Sequence, residues 1–221
     1  MKRPDKSSRR TQSQRRKETQ EAVLSAAIKL LIDKGHGGFS SSRVAAMAGV
    51  SRGALEHYFP TKQDLLAAAT RHAMREAVEH AGMLARRAVR SNDPVAKFLM
   101  DSEHFFFSPV YHAMIEIILA MRSDAVLHRI CFPIIEDARQ ILNNIWIDTL
   151  RGAGYPLENA QRFVELTTYM LRGIFMMSAW TPYDIDRAAL VDTWRRLAPA
   201  ALRLKIAPRV KRGAKGSRAK R

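Results

Sequence analysis

The chain has 221 residues, 47% of them apolar, and a formal net charge of +16. It is long enough for one large domain or two modest ones, and apolar enough to bury a real core. Its single cysteine, Cys131, excludes an intrachain disulfide and a cysteine-based metal site, and fits a reducing compartment.

The basic excess sits at the two ends. Residues 1–20 carry eight Lys/Arg against Asp5 and Glu18, and residues 203–221 carry nine Lys/Arg and no acid. The body between them is close to neutral. Such tails are drawn to any polyanion, nucleic acid or acidic membrane, or serve as solvated ends that aid solubility. The charged N-terminus is followed by no apolar h-region, and no run of about 18 apolar residues occurs, so neither a secretory leader nor a membrane span is expected. The expected setting is the cytoplasm.

The pattern is helical almost throughout. From Gln14 to Lys34 the apolar residues Val23, Ala26, Ala27, Leu30 and Leu31 fall on one helical face, and Gly35, Gly37 and Gly38 end it. Ser40, Ser41 and Ser42 offer N-cap oxygens to a short helix carrying Val44, Ala45 and Ala48. Gly49 closes that helix, Ser51 caps the next, and Pro60 stops it near Phe59. Thr61-Lys62-Gln63-Asp64 reads as a capping box opening a long helix to about Arg90. After a break at Ser91-Asn92-Asp93-Pro94, further helices are predicted over about 94–107, 110–122, 125–152, 156–179 and 186–204. No alternating strand and no repeat is evident. The chain therefore divides into a basic disordered arm (1–14), an N-terminal three-helix unit (15–65), a larger helical domain (66–204) and a basic disordered tail (205–221).

Residues 40–62 carry the chemistry. A short helix, a glycine turn and a second short helix have the grammar of a helix-turn-helix, which lays its second helix in the DNA major groove. Val50 and Leu55 should face inward and hold the two helices together. Arg52-Gly53-Ala54 is slim apart from the one side chain able to read guanine bidentately. Ser41, Ser42, His57, Tyr58 and Lys62 are donors suitably placed for phosphates, and Arg43 lies on the preceding helix. Glu56 is the odd member. Three readings of it stand open: it pairs with Arg52 or Arg43, it accepts from cytosine N4, or it weakens binding by repelling phosphate.

The run SSSRVAAMAGVSRGALEHYFPTKQDLL, with the amphipathic helix before it, resembles the TetR family of bacterial transcriptional repressors over roughly residues 15–75. The matching features are Ser40–Ser42, Val44–Ala48, the AGVS turn, Gly53-Ala54, Leu55, Tyr58-Phe59, Lys62 and Leu65-Leu66. The resemblance implies an all-α homodimer on a double-stranded operator of near two-fold symmetry. It also implies DNA contacts from Ser41, Ser42, Arg52, Ala54, His57, Tyr58 and Lys62. At Glu56 the family commonly has a DNA-contacting tyrosine, and this chain departs from it.

The regulatory half is rich in bulky apolar residues. Phe98, Phe105, Met114, Ile118, Met121, Trp146, Tyr169, Met170 and Phe175 are candidates for lining a pocket, with Phe106, Phe107, Met176 and Trp180 as further members. His104 and Arg172 are polar candidates to orient a ligand, as are Tyr111, His112, Asn143 and Asn144. A Met- and Phe-lined cavity suits a flexible lipophilic effector, although any one of these residues could simply be core. The two long helices of 125–152 and 156–179 are greasy on more than one face, which favours a symmetric dimer through Ile141, Ile145, Phe163, Leu166, Met170, Ile174 and Met177. No cofactor and no metal site is expected. No catalytic triad, phosphate loop or metal-binding helix pair stands out, so an enzyme is disfavoured. The sequence supports a regulator released from its operator by a small effector. An activator, or an architectural protein binding DNA through its tails, is the alternative.

Overall fold

The computed structural model describes residues 12–89, 93–179, 181 and 184–204. Both basic tails, apart from a few residues at their inner ends, lie outside the described residues, as do Arg90 and Trp180. Among the described residues there are nine helices and no strand. They are α1 (Gln12–Lys34), α2 (Ser41–Ala48), α3 (Arg52–Tyr58), α4 (Lys62–Ala88) and α5 (Pro94–Phe106). The rest are α6 (Pro109–Ala120), α7 (Ala125–Gly152), α8 (Leu157–Ser178) and α9 (Arg187–Ala201).

Side-chain oxygens set most helix starts. Ser51 accepts from the backbone N–H of Ala54 at 3.1 Å, Asp93 from Ala96 at 2.8 Å and Asp124 from Leu127 at 2.8 Å. Each satisfies a donor that the first helical turn would otherwise leave open. At α4 the box is reciprocal: the Thr61 hydroxyl accepts from the Asp64 N–H at 3.0 Å, and the Asp64 carboxylate accepts from the Thr61 N–H at 3.1 Å. Pro94 and Pro109 occupy first turns, where no N–H is missed. α7 runs on through Pro133 and α9 through Pro199.

Gly49 ends α2 at φ +68°, and the N–H of Val50 reaches back to the Ala45 carbonyl at 3.0 Å. That tight exit in the left-handed region is what glycine permits without a Cβ penalty. It swings the chain directly into α3. Leu55 is the one buried residue of α3 and is fully enclosed. With Phe59 it anchors this short helix to α1 and α2, and truncating such a leucine costs about 2–5 kcal/mol.

One apolar core runs from the N-terminal helices into the larger bundle. Val23, Leu31, Val44, Leu55 and Leu66 belong to the same cluster as Met114, Ile117, Leu127 and Cys131. α4 packs most extensively along α7, and α1 rests against α6. A second cluster joins the far end of α4 to α5, α7, α8 and α9 through Leu84, Phe98, Trp146, Phe163 and Leu202. A third, around Phe106, Tyr111, Leu171 and Phe175, closes the side between α5, α6 and α8. The 15–65 and 66–204 segments are therefore not separated by an unpacked linker. α4 belongs to both.

Candidate nucleic-acid interface and interior cavity

α3 buries only Leu55, so the rest of its side chains are presented outward or at the flanks. Arg52 opens the helix. Its Nε lies 2.6 Å from Oε1 of Glu56, one turn on. The carboxylate's hydrogen bond, and then its charge, hold the guanidinium above its ordinary pKa. With Nε engaged, the two terminal nitrogens of the fork remain to donate to a base. Arg43 is occupied elsewhere, its Nη1 donating to the Gly38 carbonyl at 2.8 Å. The intrahelical pair with Arg52 is thus the one the structure contains.

Ser42, Arg43, Arg52, Gly53, Ala54 and His57 are exposed, whereas Ser41, Tyr58 and Lys62 are half-buried. The His57 and Tyr58 rings meet edge to face, with centroids 5.5 Å apart. The Arg16 guanidinium stands 5.5 Å from the Tyr58 ring centroid, and the Lys62 ammonium 5.7 Å from that of Phe39. Tyr58 and Lys62 therefore also brace the unit they flank.

Inside the larger bundle lies a cavity of about 370 Å³. α4 contributes Ala73, Met74, Glu76, Ala77 and His80, five residues of the helix that the Thr61–Asp64 box starts at the exit of α3. The cavity is largely apolar, with two polar poles. At one, His80 Nδ1 lies 3.0 Å from Oδ1 of Asp101, and the Trp146 indole N–H donates to Oδ2 at 2.8 Å. Burial pushes the Asp101 carboxyl above its ordinary pKa, against the pull of its Trp146 and His80 hydrogen bonds. At the other, the Arg172 guanidinium stands 5.6 Å from the Phe106 ring centroid, and Tyr111 shares the wall with it. Arg139, also on the wall, is held by Glu136 at 2.8 Å through Nε. That ion pair, with Gln140 added, lowers the Glu136 carboxyl to about 2.

Residues 23–69 match the profile of the family described as "Bacterial regulatory proteins, tetR family". The HTH-type transcriptional regulator CymR of Pseudomonas putida is 30% identical over 172 residues, spanning 78% of this chain and 85% of CymR. The chain belongs to the TetR family.

Solved structures agree on the fold. A Mesorhizobium loti chain assigned to the TetR family superposes with a TM-score of 0.68 at 15% identity, over 87% of this chain and 98% of that one. The multidrug binding protein EbrR, solved with imidazole, gives 0.56 at 20% identity, over 86% and 97%. As a TetR-family transcriptional regulator, the chain binds DNA through the helix-turn-helix of α2 and α3. Both the matching family and CymR are described as regulators.

Against this TetR-family fold the sequence expectations for the regulatory half divide. Phe98, His104, Phe105, Met114, Ile118, Trp146 and Arg172 line the cavity. Met121 does not: it is buried in the core cluster shared with α1–α4. Met170 and Phe175 pack in the third cluster instead. Tyr169 is 58% exposed, on a stripe of α8 with Leu166, Gly173 and Met176. Of the residues expected at a dimer seam, Ile141, Leu166 and Met177 are exposed, and Ile145 and Met170 are half-buried. Phe163 and Ile174 are enclosed within the protomer, at 1% and 8% exposure, because they face α5 and the third cluster. His80, Asp101 and Arg139 went unnoticed as cavity residues. The signal was present: Asp101 falls three residues after Phe98 and four before Phe105, on the same face.

Proposed function

We propose that this TetR-family protein is a homodimeric repressor whose recognition helices bind the two halves of a near-palindromic operator, and that a small effector in the cavity releases it. The observation that carries the reading is the double duty of α4. The helix begins at the reader's exit, with Thr61 and Asp64 locked to each other, and its Ala73–His80 stretch walls the cavity. A ligand that fits better when α4 is displaced would shift the population away from the DNA-bound spacing of about 34–36 Å between the recognition helices. In the reader, Arg52 takes a guanine edge with its terminal nitrogens, and Glu56 fixes the arginine that does so. Ser42, Arg43 and His57 hold backbone phosphates.

The dimer reading rests on a face that one protomer leaves uncovered. Ile141, Leu166, Tyr169, Met176 and Met177 are large, apolar or aromatic and exposed on α7 and α8. Two copies joined there place two readers on one duplex. Among the described residues no helix is long and apolar enough to cross a membrane. The test is chromatin pulldown with sequencing, followed by gel shift on the recovered site with and without cell-extract fractions. Recovery of a two-fold symmetric site that some fraction releases supports the proposal; an unreleasable or non-specific complex counts against it.

A further inference from the structure

We propose that the cavity takes a carboxylate with an apolar, aromatic-sized body, its anionic end held by Arg172. This deepens the effector reading above and rests on it. Most charged groups on the cavity wall are already matched. Asp101 already accepts from Trp146 and lies against His80. Glu76, also on the wall, faces His72, whose Nε2 is 3.3 Å away. Arg139 is matched by Glu136, which also takes the Gln140 amide. Each of these groups has its counterpart within the protein. Arg172 is different.

Its Nε is sealed from solvent, and no acceptor among the described residues reaches it. The Phe106 ring lies against the guanidinium face, which eases the burial of a cation without satisfying an in-plane N–H. The Tyr111 hydroxyl on the same wall could serve at most one of the group's five donors. A charged N–H sealed from water without an acceptor is costly unless something negative completes it. Glu136 is near enough to feel Arg172, but its oxygens are spent on Arg139 and Gln140. The surplus at this end of the cavity is cationic. A carboxylate there would accept from Arg172, with the Tyr111 hydroxyl, kept protonated by burial, as a second donor. The ligand's body would lie among Phe98, Phe105, Met114 and Ile118.

The test uses the full-length protein and three probes of one shape: naphthalene-2-carboxylate, its carboxamide and the naphthylmethylammonium ion. Affinities are measured by calorimetry for the wild type, Arg172→Gln, Arg172→Lys and Ile118→Trp, which fills the cavity. The carboxylate is expected to bind roughly 10- to 100-fold tighter than the carboxamide, the size of a charge-assisted hydrogen bond. Arg172→Gln should erase that preference, Arg172→Lys should keep part of it, and Ile118→Trp should remove all binding. Should Arg172→Gln fail to fold, Tyr111→Phe reads the same preference and should reduce it. Carboxamide or ammonium binding as tightly as the carboxylate, or carboxylate binding unchanged in Arg172→Gln or in Ile118→Trp, overturns the inference, as does failure of all three probes. If the neutral carboxamide releases DNA at as low a concentration as the carboxylate, the inference falls while the effector reading stands. If extract releases DNA from neither the wild type nor any variant, the effector reading falls as well.

Discussion

The backbone N–H of His36 donates to Oε2 of Glu116 at 2.8 Å, tying the turn after α1 to the middle of α6. On the other side of the reader the Gln63 amide donates to Asp124, just before α7, at 3.3 Å. The DNA-reading unit is thus pinned to the cavity-bearing bundle at both ends of its own sequence, over a shared core. Under the proposed mechanism, a displacement of α4 or α6 would reach the reader through these contacts, since packed interiors resist local deformation.

The Glu116 contact depends on Gly35, which sits at φ +61°. A Cβ there would fall 2.8 Å from Oε2 of Glu116. Gly35→Ala is expected to lower stability by about 1–2 kcal/mol through backbone strain, and Glu116→Ala by about 1–3 kcal/mol through the lost charge-assisted bond. The double variant should not recover the stability of Glu116→Ala, because the strain remains when the carboxylate is gone. Urea unfolding of the three variants measures this.

Glu56 positions Arg52, so Glu56→Ala should broaden base preference where Arg52 reads, while leaving the rest of the operator consensus unchanged. Glu56→Gln retains an oxygen for Nε and should change the consensus less. Repeating an unbiased site selection with each variant decides it. Loss of a cytosine from the consensus in both variants would show that Glu56 reads a base itself.

Burial raises the Asp101 carboxyl in the folded protein. A raised carboxyl binds its proton more tightly folded than unfolded, so below the ordinary carboxylate range it costs nothing. The cost grows as pH rises from that range through the raised folded value, and persists above it. Asp101→Asn should flatten the fall in melting temperature across that window. The slope is the readout, because the substitution also alters the contact with His80.

On α8, Leu166 and Phe163 are three residues apart and make opposite predictions. Leu166 is 53% exposed, so Leu166→Glu should yield a monomer that melts near the wild-type temperature of the dissociated protein. Phe163 is 1% exposed among Phe98, Val164 and Trp194. Phe163→Ala should cost about 3–5 kcal/mol in unfolding. Sedimentation and thermal melting separate the two effects.

These pairs also show what local pattern can and cannot convey. Ser51, Thr61 with Asp64, Asp93 with Pro94, and Gly49 announce helix ends because caps act within three or four residues, and the helices begin and end close to where those residues place them. Arg52 and Glu56, one turn apart, were legible as one of a few pairings for the same reason. His80 with Asp101 was not, since their meeting depends on how α4 packs against α5. Nor was the facing of α8, where Phe163 and Leu166, or Tyr169 and Arg172, are equally bulky. Periodicity says that such a helix has apolar stripes, and only the neighbours decide which stripe meets a core, a cavity or solvent.

Sequence reading by α3 is assigned above all to Arg52. Selection of the full-length protein on random duplex DNA, followed by competition gel shift of wild type and Arg52→Ala on the enriched site, tests this. Expected are a site with two-fold symmetric halves about one helical turn apart and a roughly 10- to 100-fold loss of preference over random DNA in Arg52→Ala. No enriched site, or an Arg52→Ala protein that discriminates as well as the wild type, would contradict it.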